Sequence, residues 1–250
     1  MDDLVRIEVS GAVLIVRFDR PEANNALTSS MYEAAADALV LGEAEPKIHA
    51  FMLAGSAGAF CSGNDPGELR RSAANGVLSQ SALRFLKTLA TLEKPIVAAV
   101  DGMASGIGTA MLLHCDFVVA SDWSVFSMPA AEFGMVPEAA SSLLGPKLLG
   151  YLSAFELLIM GEQFDASRAL QARLINRVVA PELVEETASR AAHSIASRPP
   201  EAVRAARRLM RGDQRDIVQR LDLEASASID LLRSRDARDA FDDFLNRRKL

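Results

Sequence analysis

Histidine, cysteine and net positive charge are all scarce in this 250-residue chain, and each scarcity removes a class of function. The three histidines, His49, His114 and His193, have no second candidate ligand three or four residues further along the chain, so no metal site is expected. The two cysteines, Cys61 and Cys115, follow no metal or redox spacing and read as reduced packing thiols. Lysine and arginine number 27 against 33 acidic residues, a net charge of −6. Without a basic patch to neutralise phosphates, a nucleic-acid partner is not expected. The late cluster Arg204, Arg207, Arg208 and Arg211 has helical spacing and reads as a solvated face. Its less favoured use is a phosphate-bearing ligand or a neighbouring subunit. No apolar run is long enough to cross a membrane; Ile96–Val100 is interrupted by Asp101 and Gly102. The opening Met1-Asp2-Asp3 lacks the basic and apolar parts of a secretory signal, and a cytoplasmic location is expected. No serine lies in a Gly-x-Ser-x-Gly setting, so a serine-hydrolase triad has no support.

What is present is an ordinary globular composition, 50% hydrophobic and 24% charged, long enough to bury a sizeable core. Arg6–Val9 and Val13–Phe18 flank Ser10-Gly11 as a hairpin, and Thr28 caps a helix over Ser29–Glu43. Strand Ile48–Ala54, helix Ser81–Leu92, strand Ile96–Val100 and a further helical pattern come after it at βαβ spacing. Strands Phe117–Ala120 and Val125–Met128 come next. Beyond Glu138 the pattern is helical: Ser153–Met160, Ala166–Gln171, Glu182–Ser197, Pro200–Met210, Ile217–Arg233 and Asp236–Arg248. One short strand, Leu174–Val179, lies among them. An α/β core over residues 1–195 with a helical region over 196–250 is expected, divided at Arg198-Pro199-Pro200.

Two glycine-bearing turns carry the functional signal. Ala59-Phe60-Cys61-Ser62-Gly63-Asn64-Asp65 comes after the run Phe51–Ala54, and Ser105-Gly106-Ile107-Gly108 after Ile96–Val100. Glycines there free peptide N–H groups to face a ligand, and the second turn runs into a helical pattern whose dipole favours negative charge. Two such turns after two strands suggest donors converging on one oxygen. The plainer reading gives Gly63, Gly106 and Gly108 only tight turns and close packing. Asp65 and Asp101 read as aspartates that satisfy turn N–H groups.

Four segments together resemble the enoyl-CoA hydratase/isomerase (crotonase) superfamily: Arg20–Leu27, Ala59–Asp65, Pro95–Gly102 and Cys115–Ser121. The similarity runs in order from the hairpin to Phe244–Lys249. It implies an α/β spiral of ββα and βαβ turns, with a helical C-terminal region that builds trimers or dimers of trimers. It also implies an acyl-CoA thioester as substrate, no separate cofactor, and a place in fatty acid β-oxidation. The thioester oxygen would be held by the backbone N–H groups of Ser62 and Ile107. Coenzyme A would lie along Ala23, Asn24, Ser62, Gly63, Asn64, Asp65 and Gly106.

Hydratases of the family use two glutamates; the matching positions here are Ala110 and Ala130, which cannot move a proton. The stretch Glu132–Ser142 is instead similar to the peroxisomal-type branch of 3,2-trans-enoyl-CoA isomerases, in which Glu138 would be the base. As a local pattern, Glu138 after Pro137 also reads as an acid at a helix start. Glu132 is a second carboxylate that could face the acyl chain. Phe85, Leu86 and Leu89 read as core or as tunnel lining. The expected reaction moves a 3-enoyl-CoA double bond to 2-trans-enoyl-CoA. Another reaction of the superfamily (hydration, thioester hydrolysis or carbon–carbon cleavage) and a non-catalytic acyl-CoA-binding oligomer are the alternatives.

Overall fold

Strand β3, Ala50–Ala54, shows how the core is built in the computed structural model: all five of its residues are buried. Phe51 and Leu53 enter one hydrophobic cluster and Ala50, Met52 and Ala54 another, because successive side chains leave a strand on opposite faces. A strand covered on both sides reads as an unbroken apolar run. The structure describes residues 4–56, 58–75, 77–232, 234–235, 239–240 and 243. The expected helix 236–248 and the segment 244–249 therefore fall mostly or wholly outside the described residues.

β1 (Val5–Ser10) and β2 (Val13–Phe18) form the expected antiparallel hairpin, and β2, β3, β5 (Ile96–Val100), β7 (Phe117–Ser121) and β10 (Arg177–Val179) continue it in parallel. A second sheet has the order β4 (Ala59–Cys61), β6 (Met103–Ser105), β8 (Val125–Ser127) and β9 (Phe164–Asp165). From β3 to β8 the chain alternates between the sheets, one strand in each per turn of a spiral. The two glycine turns accordingly come after β4 and β6, not directly after β3 and β5.

Helix α1 (Ser29–Ala44) begins where Thr28 Oγ1 accepts the Met31 N–H at 3.3 Å. Next along the chain are α2 (Pro66–Asn75), α3 (Gln80–Thr91), the one-turn α4 (Ile107–Ala110), α5 (Ser141–Leu149), α6 (Tyr151–Leu158) and α7 (Ala166–Gln171). α8 (Val184–Ala196) covers the outer face of the large sheet with Val184, Ala188, Ala192 and Ala196. α9 (Pro200–Arg211) and α10 (Gln214–Leu232) return to the core, α10 against α3 and α5. Among the described residues no helix is long and apolar enough to cross a membrane.

The expectation of a solvated arginine face on α9 is corrected at Arg207. Its side chain is buried, its Nε donates to Asp116 at 2.8 Å, and Nη1 donates to the Leu92 carbonyl. Burial beside Arg207 likewise lowers the pKa of Arg211. Helix α9 is thus fastened to the core by a charge-assisted bond rather than washed by solvent on that side.

Candidate functional site

Because β4 and β6 pair in parallel, Ala59 with Met103 and Cys61 with Ala104, the chain leaves both strands at the same edge of the small sheet. The two glycine turns therefore meet. A Cβ added to Gly106 would lie 3.9 Å from Gly63 Cα, and one on Gly63 would lie 3.3 Å from the Ser105 carbonyl oxygen. Gly63 (φ +113°) and Gly106 (φ +53°) hold backbone that side chains rarely adopt. Gly108 is required for a different reason: a Cβ there would overlap the Cys61 carbonyl oxygen.

The hydrogen bonds of the first turn correct the expected donor. Ser62 N–H donates to Asn24 O at 3.0 Å and Ser62 Oγ donates to Ala23 O at 3.1 Å, so Ser62 stitches the turn to the 20–27 segment. A peptide N–H has a single hydrogen, and this one is committed. Two residues on, the bonds Leu27 N–H to Gly63 O (2.8 Å) and Asp65 N–H to Leu27 O (2.9 Å) pass over Asn64. Its N–H meets no acceptor among the described residues. Ile107 N–H, on the first residue of α4, meets none either, while Gly106 N–H is taken by Ser127 O at 2.9 Å.

Two adjoining cavities of about 70 and 60 Å³ open beside the turns and share Asn64, Leu69, Met135 and Glu138. Ser62, Gly63, Gly106 and Ala130 line the smaller one; Tyr32, Glu68, Leu86 and Glu224 line the larger. Glu138 stands where they join. Its Oε1 accepts from Asn64 Nδ2 at 3.1 Å, and Asn64 Oδ1 accepts from the Tyr32 hydroxyl at 2.6 Å. Burial pushes the Glu138 carboxyl up to about 7; the Asn64 hydrogen bond pulls it back and the nearby Glu224 charge adds to the rise. Burial also raises the Tyr32 hydroxyl well above its ordinary value, so Tyr32 stays a proton donor.

Glu138 does not begin a helix, which corrects the capping reading. Residues 139 and 140 intervene with φ of +65° and +55°, and α5 starts only at Ser141 with Ala140 as its cap residue. The other expected residues divide. Ser62, Gly63, Asn64 and Gly106 reach the cavities, whereas the side chains of Ala23, Asn24, Asp65 and Ile107 line neither. Asp65 accepts the Glu68 N–H at 3.0 Å and Arg20 Nη1 at 2.8 Å, as a turn aspartate should. Asp101 departs from that reading, because its Oδ1 is buried without a partner and the Gly102 N–H goes to Ser121 and Ser124 hydroxyls. Ala110 is fully buried in the core, while Ala130 borders the smaller cavity. Glu132 is exposed and lines neither cavity. Phe85 and Leu89 are plain core; Leu86 alone of that trio touches a cavity. Cys61 is packing, its thiol pushed up to about 12 by burial.

Sequence reasoning missed Tyr32, Glu68 and Glu224 as cavity residues. They belong to α1, α2 and α10, which no local motif connects.

Residues 8–250 match the family model described as enoyl-CoA hydratase/isomerase. The chain is 31% identical over 255 residues to the short-chain-enoyl-CoA hydratase of Clostridium acetobutylicum, covering 98% of this chain and 96% of that one. It is 28% identical over 255 residues to the 1,2-epoxyphenylacetyl-CoA isomerase of Escherichia coli, covering 99% and 97%. The structure of an enoyl-CoA hydratase/isomerase from Pseudoalteromonas atlantica superposes with a TM-score of 0.91 at 34% identity, covering 98% of each chain. Spiral, paired glycine turns and whole-length matches agree: the chain belongs to the enoyl-CoA hydratase/isomerase (crotonase) family of acyl-CoA enzymes.

Proposed function

We propose that this enzyme isomerises 3-enoyl-CoA to 2-trans-enoyl-CoA with Glu138 as its one acid–base group. The observation that carries the reading is the placement of Glu138: a carboxyl titrating near 7 at the junction of two cavities, beside the glycine turns. A general base works best when its pKa lies near the working pH. Asn64 N–H and Ile107 N–H would polarise the thioester oxygen, Asn64 standing in for Ser62. Glu138 takes a proton from C2, charge gathers on the thioester oxygen, and the same carboxyl returns the proton at C4. The double bond then lies in conjugation with the thioester, with no net uptake of water or protons. Coenzyme A would run along Ala23, Asn24, Ser62, Gly63, Asn64, Asp65 and Gly106.

Alanine at positions 110 and 130 supports isomerisation over hydration, since neither hydratase glutamate is present. Hydration is the second reading, favoured by the name of the Clostridium acetobutylicum relative. Incubation with 3-hexenoyl-CoA and with crotonyl-CoA, tracking conjugation and hydration separately, divides the two. Conjugation without hydration is expected; hydration of crotonyl-CoA with no conjugation of 3-hexenoyl-CoA overturns the proposal. A cytoplasmic homotrimer or dimer of trimers completes it, supported by the exposed apolar row Tyr151, Leu152 and Phe155 on α6.

A further inference from the structure

The loop that presents Glu138 is held in a conformation its own sequence does not favour. Ala139 and Ala140 both lie in the left-handed region, where a non-glycine residue costs on the order of 1 kcal/mol each. Such backbone persists only where its surroundings impose it. The strongest restraint comes from 84 residues away. Glu224 of α10 is 6% exposed; its Oε2 accepts the Ala140 N–H at 2.6 Å, and its Oε1 accepts the Ser142 N–H at 2.9 Å and the Ser142 hydroxyl at 2.6 Å. Arg220, one helical turn earlier, donates to the same hydroxyl at 3.2 Å. His114 Nε2 in turn bonds the Ala139 carbonyl at 2.8 Å.

We propose that Glu224 is the positioning residue for Glu138: by gripping residues 140 and 142 from α10, it fixes the left-handed pair and aims Glu138 at the cavity junction. The inference rests on Glu138 being the base, and it adds that the last long helix sets how that base works. Both Glu224 oxygens accept hydrogen bonds, which is the pattern of an ionised carboxylate. A glutamine could not reproduce it. Its amide nitrogen would turn a donor toward the Ala140 or the Ser142 N–H, setting two donors face to face. The same substitution removes the negative charge that discourages ionisation of Glu138. The other ionisable groups facing Glu138 are Tyr32 of α1, Cys61 of β4 and Glu68 of α2, with Arg220 behind Glu224 on α10.

The test pairs steady-state kinetics on 3-hexenoyl-CoA with a direct titration of the Glu138 carboxyl. The titration is read by carbon-13 NMR of glutamate-labelled protein and assigned by difference from Glu138→Gln. In Glu224→Gln, kcat should fall roughly tenfold, the usual cost of removing a group that orients a working side chain, with KM changed by less than about twofold. The Glu138 midpoint should move down by roughly half a unit to one unit. Arg220→Met, which strips the cation from behind Glu224, should move it up. An unmoved midpoint in Glu224→Gln overturns the inference, and so does a loss of thermal stability in which kcat and KM change without any shift of the midpoint. Should that variant not fold, Ser142→Ala removes only the two bonds of the hydroxyl, to Glu224 and from Arg220, and an unchanged kcat there also overturns it. Because the midpoint is read without turnover, its behaviour is independent of the isomerase reading. That reading fails separately if Glu138→Gln keeps its isomerase rate.

Discussion

Glu138 concentrates the testable chemistry of this chain. Replacement by glutamine should lower the isomerase rate by about 10²–10⁴-fold, the contribution of a positioned general base. The check is the single-substrate rate on 3-hexenoyl-CoA; a rate within about twofold of the parent removes Glu138 from the mechanism. The same carboxyl makes two pH predictions. As a base it must be ionised, so the rate should climb with pH and level off above about 7. Its effect on stability has the opposite slope. In the unfolded chain it ionises near the ordinary 4.5, while the folded chain keeps the proton to about 7, so folding takes up a proton between those values. This group's contribution to stability is therefore greatest below the unfolded value and is lost as pH rises toward 7. Glu138→Gln should raise the melting temperature at pH 8 relative to the parent and leave it nearly unchanged at pH 4. A parent advantage at pH 8 would show that the buried charge is not costly.

At the level of elements, the meeting of β4 and β6 decides what the turns tolerate. Gly108→Ala would drive a methyl group into the backbone carbonyl of Cys61, which cannot swing aside as a side chain could, and should cost about 3 kcal/mol in urea unfolding with a loss of activity. A neutral effect would mean the turns can separate. The long elements were legible in the sequence because period and caps agree. Thr28 announces α1, and β3 and β5 are unbroken apolar runs. β4, β6 and β9 were not, because strands of two or three residues carry no measurable alternation. Of the second sheet only β8, expected as Val125–Met128, was seen. α2 lacks an apolar stripe, its Glu68, Arg70, Arg71 and Ser72 offering only polar text. α5 hides its start behind a left-handed alanine without a capping side chain and carries Pro146 inside. At the site, the glycine turns and a carboxyl at position 138 were legible; the donor we propose lies two residues on, at Asn64 rather than Ser62, since only the folded chain shows that Asn24 O accepts the Ser62 N–H.

For the whole molecule, the helices beyond residue 196 are fastened to the rest by Arg207 and Glu224. We keep the division at 195/196 as a proposal, marked by the Pro199-Pro200 junction. Arg207→Ala would leave the Asp116 carboxylate beside a vacated guanidinium site and should destabilise the fold by about 3 kcal/mol, read by urea denaturation. Less than about 0.5 kcal/mol would show that the pair is no more than a surface bridge. Sedimentation equilibrium should give three or six times the 26.9 kDa chain mass. A monomer would leave Leu152, 78% exposed, without a partner surface.

The turns that would hold the thioester oxygen do so with main chain, and their shape depends on a few glycines and a parallel strand pair. Mutations that change side chains elsewhere in the cavity leave such a device untouched. Glu138, by contrast, is one codon on a loop. Selection could therefore exchange or remove the acid–base group while the oxygen site persists. A lineage carrying this spiral would inherit the ability to gather charge on a thioester and be free to vary the fate of the resulting enolate. Ala130, already at the cavity wall, is the place where another carboxyl could be acquired at least structural cost.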